Sequence, residues 1–373
     1  MERTPPFLTP AIGNRFSGWR RILQSPPRRQ VDPEFRIRVF AVGAITLLST
    51  PFQWYEDLRL ARKIADTALH PSPVFIIGHW RSGTTFLHNL LSCDTQFGYV
   101  TTVQSVFPHS FATNPLFAWL TKVLMPPTRP MDDMQLYMQS PQEEEMAMVN
   151  YGPYSLYQAW HFPPAFRFCY RGMVKFEGAD GGDKQRWTAA YLQLLRKTTL
   201  LSGHKRLLLK NPANTARIKT LLELFPEAKF IFIHRDPLEV YASTQKLYRN
   251  VLPIFQLQAY DFESIKKDII WMYKDLMTTY LHERSLIPED QLFEISHYQL
   301  SEFPMEYLAE MYDALQLGDF QKVAPAVEAY LAQRRVKNFQ KSTYDIPPRE
   351  IEQLEREWAF AFEPWSTDST RRT

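Results

Sequence analysis

The sequence predicts an α/β fold, with one domain built on a mostly parallel sheet of about four or five strands flanked by helices. Short apolar runs without polar alternation are the first observation, because strands covered on both faces of a sheet have this pattern. Val74–Ile77, Arg206–Lys210 and Lys229–His234 are such runs. A helical pattern follows each run, and this alternation favours parallel strands joined by right-handed crossovers.

Two more segments extend this prediction. Leu292–Ser296 is a further strand, and Phe97–Thr101 is a candidate short strand. We predict the ends of the helices from residues that start or stop helices, here capping acids, prolines and a glycine. They are a helix capped by Asp183 from Trp187 to about Leu201, one from Asn211–Thr215 through Leu224, one from Arg235 to about Tyr248, and one from Asp261 to about Arg284.

Composition narrows the function classes. The chain has 373 residues, 45% of them hydrophobic, which is enough for a large core. A net charge of +3 gives no electrostatic basis for binding nucleic acid. Cys93 and Cys169 belong to no CxxC or Cys/His pattern, so we expect reduced thiols and a cytoplasmic location.

The N-terminal part differs from the rest of the chain. Residues 1–35 are rich in Pro and Arg and are predicted to be irregular. Val39–Phe52 is apolar but shorter than the roughly 20 residues that span a bilayer. A buried helix and a peripheral membrane contact both fit this segment. We therefore expect an N-terminal arm and apolar helix over 1–70, a main domain over 71–345, and a C-terminal helix and tail over 346–373.

The segment after the first predicted strand has the glycine spacing of a phosphate-binding P-loop. It reads GHWRSGTT from Gly78 to Thr85, but Thr84 stands where a P-loop has its lysine. Arg81 supplies a fixed positive charge inside the loop. Backbone N–H groups, the N-terminus of the following helix and this guanidinium together predict an anion site.

Two stretches carry a resemblance to a known family. RSGTTF, from Arg81 to Phe86, resembles the 5′-phosphosulfate loop of sulfotransferases that use 3′-phosphoadenosine 5′-phosphosulfate (PAPS), whose usual form is PKSGTTW or PRSGTT. LLLKNPANT followed by LFPEAKFIFIHRDPLEVYAST resembles the 3′-phosphate segment of the same enzymes. The resemblance covers about residues 70–300, and it implies the sulfotransferase fold with a P-loop-like sheet.

The resemblance implies roles for individual residues. Arg235 and Ser243, eight residues apart, would hold the 3′-phosphate, a dianion suited to a guanidinium fork and a hydroxyl. Lys210 matches the lysine that ends the preceding strand in the family. Tyr298 lies in a segment similar to the YEDL turn of the family, where it borders the adenine or is a core tyrosine. The loop residues implied for nucleotide binding are Arg81, Ser82, Gly83, Thr84, Thr85 and Phe86, the last in place of an adenine-stacking tryptophan.

The general base is expected outside the second motif. Pro212 stands where small-molecule sulfotransferases have a histidine, and the Lys-Asn-Pro context is closer to the tyrosylprotein-type enzymes. The segments RPMDDM and PQEEE resemble the acceptor side of bacterial sulfotransferases, and a carboxylate can accept the proton of a hydroxyl. Glu144 is the first candidate and Glu145 the second. His109 and His161 come next.

A structural role for these acids stays open at this point. Ser140, Pro141 and Glu143 fit the N-cap, N1 and N3 positions of a capping box. Acids in a first helical turn are also favoured by the helix dipole.

Aromatic residues and prolines punctuate residues 100–185, which we interpret as an acceptor lid over an apolar cleft. Phe162–Tyr170 is predicted to be a loop in this lid. Near the C-terminus, Arg334–Lys341 is a basic cluster where the family folds a loop over the nucleotide; a solvated helix end is the alternative.

The function implied is transfer of a sulfuryl group from PAPS to a hydroxyl-bearing acceptor, which we expect to be apolar or aromatic in part, giving a sulfate ester and adenosine 3′,5′-bisphosphate. Arg81 and Lys210 would neutralise charge on the leaving phosphate oxygen, so no metal is required. A P-loop kinase or nucleotidase would instead need Mg²⁺ and ATP. A nucleotide-binding scaffold without catalysis is the third alternative.

Overall fold

The computed structural model describes residues 9–24, 30–115, 119, 123, 137–152, 154–177, 182–336 and 346–365. These residues group into two compact units that alternate along the chain. The helical unit draws on residues 1–69, 99–205 and 246–268, and the sheet unit on residues 70–98, 206–245 and 269–373.

The sheet unit contains a five-stranded parallel sheet. Its strand order is β2-β3-β1-β4-β5, and every neighbouring pair is parallel. The strands are β1 (Val74–Ile77), β2 (Phe97–Gly98), β3 (Arg206–Lys210), β4 (Lys229–His234) and β5 (Leu292–Ser296). The predicted mostly parallel sheet is confirmed.

One strand is shorter than predicted. β2 ends at Gly98, because Thr101 caps the next helix in a capping box with Gln104 instead of continuing the strand. The central strand β1 is fully buried along its length, and Val74 and Ile76 pack in a core with Ile231, as the unbroken apolar run indicates.

The described residues form α-helices in both units. In chain order they are α1 (Phe16–Gln24), α2 (Arg36–Ala65), α3 (Thr84–Leu91), α4 (Thr102–Val106), α5 (Glu144–Tyr151), α6 (Gln158–His161), α7 (Phe166–Met173), α8 (Gly182–Leu201), α9 (Ile218–Leu224), α10 (Pro237–Phe255), α11 (Phe262–Glu283), α12 (His297–Glu302), α13 (Pro304–Ala314), α14 (Ala324–Val336), α15 (Pro348–Glu357) and α16 (Ala359–Trp365).

The N-terminal predictions need two corrections. Within residues 1–35, α1 is a regular helix, because Trp19 and Ile22 lie one turn apart and are both buried. The apolar segment Val39–Phe52 is only part of the first 17 residues of α2, which has 30 residues. The helix continues past the apolar run, since the sequence EDLRLARKIA is rich in good helix formers. α2 packs against α1 and α8 within the helical unit.

The predicted capping box at Ser140 is also wrong. α5 begins at Glu144, and its N-cap is Glu143 without a side-chain cap bond. Ser140 instead accepts the amide of Tyr137 through Oγ (3.0 Å), while Pro141 forms a β-bridge with Thr101. The extended backbone at this bridge delays the start of the helix.

Phe162–Tyr170 is not a loop. Pro163–Ala165 forms a 3-10 turn that leads directly into α7, where Phe166, Cys169 and Tyr170 share one buried face. Likewise, the predicted helix through Leu224 is divided into a 3-10 segment, Pro212–Ala216, and α9.

Some expectations fall outside the described residues. These include most of residues 116–136, with the RPMDDM segment, and residues 337–341 of the basic cluster. The acceptor lid over residues 100–185 and the boundaries at 70/71 and 345/346 stay predictions.

Candidate active site

The loop between β1 and α3 lies against the carboxyl end of β4. Gly78 has a φ of +138°, and a Cβ atom on it would lie 2.2 Å from the carbonyl oxygen of Ile233. Gly83 has a φ of +103° at the N-cap of α3, where a Cβ atom would lie 2.5 Å from the His297 ring. Both glycines of the GxxxxG motif are therefore required by the backbone, which places the first amides of α3 at the carboxyl end of the sheet.

Hydroxyl groups brace this loop. The amide of Gly78 donates to Oγ1 of Thr215 (2.8 Å), and that hydroxyl lies 3.1 Å from the carbonyl oxygen of the same glycine, to which it donates. Ser82 donates from Oγ to the carbonyl oxygen of His79 (2.8 Å). Ser82 is buried, and its hydroxyl is used in this bond within the loop, so it stabilises the loop conformation.

Arg81 joins the two sequence motifs. Its Nε donates to Oγ of Ser243 (2.8 Å), a side chain that is almost fully buried on α10. The guanidinium of Arg235 donates through Nη1 to the carbonyl oxygen of Arg81 (3.5 Å). Three residues predicted from two separate motifs thus lie in contact: Arg81 and Arg235 follow the adjacent strands β1 and β4, and Ser243 lies on α10.

Arg235 is oriented by the helix that follows it, α10. Its Nε donates to Oε2 of Glu239, one turn along α10, at 2.5 Å. Asp236 caps the same helix by accepting the amides of Leu238 (2.9 Å) and Glu239 (3.2 Å) through Oδ1. The capped helix and the ion pair hold the guanidinium at the edge of the loop.

Two buried cations lie at and after the end of β3. Lys210 is the last residue of the strand and is 1% exposed. Arg217 is also buried and donates through Nη1 to Oδ1 of Asn214 (3.2 Å). Because burying a cation is costly unless polar or anionic groups compensate it, this edge of the sheet is built to hold positive charge.

The residues expected around an adenine are divided between buried and exposed positions. Phe86 is buried on α3, and the guanidinium carbon of Arg334 lies 3.9 Å from the centre of its ring. Tyr298 is 57% exposed, which excludes the alternative of a core tyrosine.

Residues 73–321, more than half of the chain, match the profile of the sulfotransferase family. The chain belongs to the sulfotransferase family. It is therefore a transferase that moves a sulfuryl group to a hydroxyl acceptor, and PAPS is the cosubstrate that the family implies.

Curated and solved relatives agree with this assignment. The sulfotransferase is 29% identical over 362 residues to the omega-hydroxy-beta-dihydromenaquinone-9 sulfotransferase Stf3 of Mycobacterium bovis, covering 96% of this chain and 91% of that protein. Stf3 of Mycobacterium tuberculosis matches equally. Among solved structures, STF9 from Mycobacterium avium shares the fold with a TM-score of 0.68 at 20% identity, over 93% of this chain and 89% of that one. STF1 from Mycobacterium tuberculosis has a TM-score of 0.66 at 16% identity, over 95% and 94%.

The candidate carboxylates of this sulfotransferase lie in the helical unit, at the start of α5. Glu144 and Glu145 are fully buried. Glu145 accepts the amide of Leu156 through Oε1 (2.7 Å), and Glu143 accepts the hydroxyl of Tyr157. These bonds give Glu143 and Glu145 structural tasks, which the repeated acids in the sequence do not distinguish.

The two reserve histidines are buried in the same unit. His109 receives a hydrogen bond from Nε of Arg15 (3.3 Å) and lies 2.9 Å through Nε2 from the carbonyl oxygen of Asn150. Burial, followed by the nearby charges of Arg15 and Lys197, holds the pKa of His109 well below its usual range. The ring of His161 packs edge-on against Phe255. The environment of His109 disfavours proton uptake by its imidazole.

Some residues of the site were missed by sequence reasoning. Thr215 holds the loop through both its hydroxyl donor and acceptor functions, and His297 lies against Gly83. Their position in the sequence could have indicated them, because polar residues that follow neighbouring parallel strands meet at one edge of the sheet. Arg334 belonged to the predicted basic cluster, but its packing on Phe86 could not be read from the sequence.

No group of three or more His, Cys, Asp or Glu suited to a metal ion occurs among the described residues. In the same part of the chain, one helix, over Pro33–Ala65, is long and apolar enough to cross a membrane by length and composition.

Proposed function

We propose that this sulfotransferase binds PAPS at the carboxyl edge of its sheet, through the loop of β1 and the start of α10. The contact of Arg81 with Ser243 carries the proposal, because it joins the residue expected at the phosphosulfate to one expected at the 3′-phosphate. The two glycines let the loop pack closely against Ile233 and His297, which places the first amides of α3 at the carboxyl edge of the sheet, a position that favours an anion. The chemistry of this residue set suits a nucleotide that carries two separate anionic groups.

In this proposal, Arg235 and Ser243 hold the 3′-phosphate. Arg81 and Lys210 counter the negative charge that develops on the leaving phosphate oxygen. Lys210 is suited to this task because its ammonium is almost fully buried, and a fixed charge in a dry site acts strongly without reorganisation. Phe86 and Tyr298 would border the adenine, with Arg334 adding a cation over the Phe86 ring.

We propose Glu144 as the group that takes the proton of the acceptor hydroxyl. It is fully buried at the first turn of α5, in the segment that resembles the acceptor side of bacterial sulfotransferases. Pro212 cannot supply the base that a histidine supplies in small-molecule sulfotransferases. Glu145 is the second candidate.

The acceptor we propose is a hydroxyl on a largely apolar molecule. Support comes from Stf3, whose name gives a menaquinone derivative with an omega-hydroxyl as its substrate and which aligns over 96% of this chain. A cytoplasmic enzyme that contacts the membrane through its N-terminal apolar helix would suit such an acceptor. This contact is therefore part of the proposal.

Calorimetry distinguishes the proposal from its alternatives. Adenosine 3′,5′-bisphosphate and PAPS should bind without Mg²⁺, and ATP should bind much more weakly with or without it. Tight, Mg²⁺-dependent binding of ATP would instead indicate a kinase or nucleotidase. Binding of PAPS without release of adenosine 3′,5′-bisphosphate in the presence of long-chain alcohols or quinols would favour the non-catalytic scaffold.

A further inference from the structure

The helix α2 has its polar and apolar faces inverted relative to a surface helix of a soluble domain. Its most buried positions include polar or charged side chains: Arg38, Thr46, Ser49, Gln53 and Glu56. Its outer face has large apolar and aromatic side chains: Ile37, Phe40, Leu47, Leu48, Trp54, Tyr55 and Leu58. Phe40 is 78% exposed, Leu48 73% and Leu58 88%. We call these seven outer residues the apolar stripe.

The spacing shows that the apolar stripe is one surface. Ile37, Phe40, Leu48, Tyr55 and Leu58 are separated by intervals of 3, 8, 7 and 3 residues, each close to a whole number of helical turns, and therefore lie along one side of the helix. From Ile37 to Leu58 the stripe extends over about 30 Å at the helical rise per residue. A continuous exposed surface of this kind marks an interaction site.

The polar face is fixed to the protein by specific bonds. Arg38 donates through Nη1 to the carbonyl oxygens of Pro253 (3.2 Å) and Gln256 (2.8 Å). Gln53 donates to the carbonyl oxygen of Asn14 (3.1 Å). An α2 that spanned a bilayer would have to break these bonds and place the groups in hydrocarbon, which is strongly unfavourable.

Glu56 strengthens this attachment. It accepts the amides of Ala112 (2.7 Å) and Thr113 (3.1 Å) through Oε2, and it forms a buried ion pair with Lys197. Removing α2 from the helical unit would leave both charges without their partner. Although α2 is long enough to span a membrane, its bonds to the rest of the helical unit favour an orientation parallel to the membrane surface.

Charge at the ends of the stripe indicates the kind of surface that it fits. Arg36 is exposed at the start of α2, and Arg59, Arg62 and Lys63 are exposed at its end. Arg62 lies 3.7 Å from Asp66, an exposed pair of little energetic weight. Trp54 and Tyr55 lie between the aliphatic part and the basic end, the position that such rings prefer at a membrane interface. Basic residues beside an apolar stripe are complementary to anionic lipid headgroups.

We propose that α2 is an in-plane membrane anchor that inserts its apolar stripe into the outer part of an anionic lipid leaflet. This inference rests on the proposed function in that it gives the enzyme access to an apolar acceptor in the bilayer. It specifies the face of the helix, its orientation and the lipid class. The anchor does not depend on nucleotide binding, so the two proposals can fail separately.

Vesicle flotation of the full chain, without PAPS or acceptor, tests the anchor. The probes are vesicles of phosphatidylcholine alone and of phosphatidylcholine mixed with phosphatidylglycerol. We expect binding to the anionic vesicles and weaker binding to the neutral ones. The triple variant Phe40→Ser, Leu48→Ser, Leu58→Ser should reduce the partition coefficient by about 100-fold, since three large apolar side chains no longer insert.

A matched variant controls for loss of exposed apolar residues in general. Leu201, Leu286 and Phe303 are exposed outside α2, and changing all three to Ser should leave vesicle binding unchanged. Both triple variants should bind adenosine 3′,5′-bisphosphate as the wild type does, which shows that the sheet unit is folded. The variant Arg59→Gln, Arg62→Gln, Lys63→Gln should retain binding to neutral vesicles and lose the preference for anionic ones.

Three outcomes would overturn the anchor. The first is equal vesicle binding by the wild type and the stripe variant. The second is a concentration-dependent dimer in sedimentation velocity that the stripe variant converts to monomer, with no vesicle binding by either; the stripe would then bind a second copy. The third is protection of only one end of α2 from protease added outside sealed vesicles, because a spanning helix has its other end in the lumen. Failure of PAPS binding with vesicle binding intact would contradict only the proposed function.

Discussion

At the residue scale, the conformation of Arg81 is the most informative feature of the site. It has a φ of 72°, in the left-handed region that residues with a Cβ rarely adopt. Its side chain bonds Ser243 and its carbonyl accepts from Arg235, so the neighbouring motif stabilises the strained backbone. Strain retained at such a position is typical of functional sites, where it fixes a group before the ligand arrives.

The first residue-scale prediction concerns the 3′-phosphate. Arg235→Ala and Ser243→Ala should each weaken PAPS by roughly ten- to a hundredfold, the effect of losing a charge-assisted hydrogen bond. Adenosine 5′-phosphosulfate, which lacks the 3′-phosphate, should lose much less affinity. Calorimetry with both ligands measures the difference. Thr244→Val is the matched control, because it removes a buried hydroxyl next to Ser243 on α10; equal losses for the two ligands would contradict the assignment.

The second prediction separates chemistry from binding. Lys210→Met should lower kcat strongly and change the Kd for PAPS only modestly, because a contact that strengthens in the transition state affects the rate more than the affinity. Lys229→Met is the control: Lys229 lies at the amino end of β4, where it donates to the carbonyl oxygen of Asp290 (2.8 Å). A defect in PAPS affinity alone would reassign Lys210 to nucleotide binding.

The third prediction concerns the base. Glu144→Gln keeps the size of the side chain but cannot accept a proton, so turnover should fall by roughly 10² to 10⁴ with Tm nearly unchanged. Glu145→Gln should behave in the opposite way. It weakens the bond to the amide of Leu156, so we expect a loss of about 1 kcal/mol in the free energy of unfolding and near-normal turnover. Loss of turnover in Glu145→Gln alone would make Glu145 the base.

At the element scale, buried strands were the most predictable parts of the chain. β1, β3, β4 and β5 have the predicted bounds. In β1 and in the interiors of β3 and β4, burial on both faces leaves an unbroken apolar run. The start of α5 was not predictable in the same way. Its apparent capping residues were used by a β-bridge between Pro141 and Thr101, a contact between segments far apart in sequence.

An element-scale prediction tests why the loop needs its glycines. Gly78, Gly83 and Gly203 all have positive φ, at +138°, +103° and +75°. A Cβ atom would meet the Ile233 carbonyl oxygen at Gly78, the His297 ring at Gly83, and nothing within 4 Å at Gly203. Urea unfolding should therefore rank the alanine variants by their cost. Gly203→Ala should lose about 1 kcal/mol from backbone strain alone, Gly83→Ala more, and Gly78→Ala most.

Nucleotide affinity gives a second readout for this series. Gly78→Ala and Gly83→Ala should weaken adenosine 3′,5′-bisphosphate, and Gly203→Ala, which lies in a turn after α8, should not. Equal stability of the three variants would show that the loop relaxes around an added methyl group. The prediction remains testable if Gly78→Ala fails to fold, because Gly83 and Gly203 still form a matched pair.

At the scale of the whole molecule, the sheet unit was predictable and the helical unit was not. The parallel order follows from strand and helix alternation, and the nucleotide residues follow from motifs that end those strands. The helical unit is held together by contacts between side chains and backbone groups far apart in sequence, which no local pattern indicates. The bond between Arg38 and the carbonyl oxygen of Gln256 is an example. Nothing near Arg38 in the sequence indicates that the first turn of α2 is bonded to residue 256.

Each unit contains a buried histidine that makes its stability depend on pH. Burial lowers the pKa of His79 in the sheet unit to about 4, and its ring bonds the carbonyl oxygen of Trp80 (2.7 Å). In the helical unit, burial and the charge of Arg15 lower the pKa of His109. Neutral His109 can accept from Arg15 only while Nδ1 is unprotonated, so protonation would remove that bond. The folded state therefore favours the neutral form of both histidines.

The sign of the pH effect follows from these lowered pKa values. The unfolded chain binds a proton at each histidine as the pH falls through about 6.5, while the folded chain does not, so stability decreases on acidification. For His79 the loss is complete only below about pH 4, and it should reach about 2 kcal/mol between pH 7.5 and pH 5. Urea unfolding of His79→Asn and His109→Gln at these two pH values should show a smaller decrease than the wild type, even if the variants are less stable at pH 7.5. His204→Asn, in an exposed turn with a φ of 62°, is the control and should retain the wild-type decrease. If His79→Asn and His109→Gln both lost as much stability on acidification as the wild type, other groups would be the cause of the acid sensitivity.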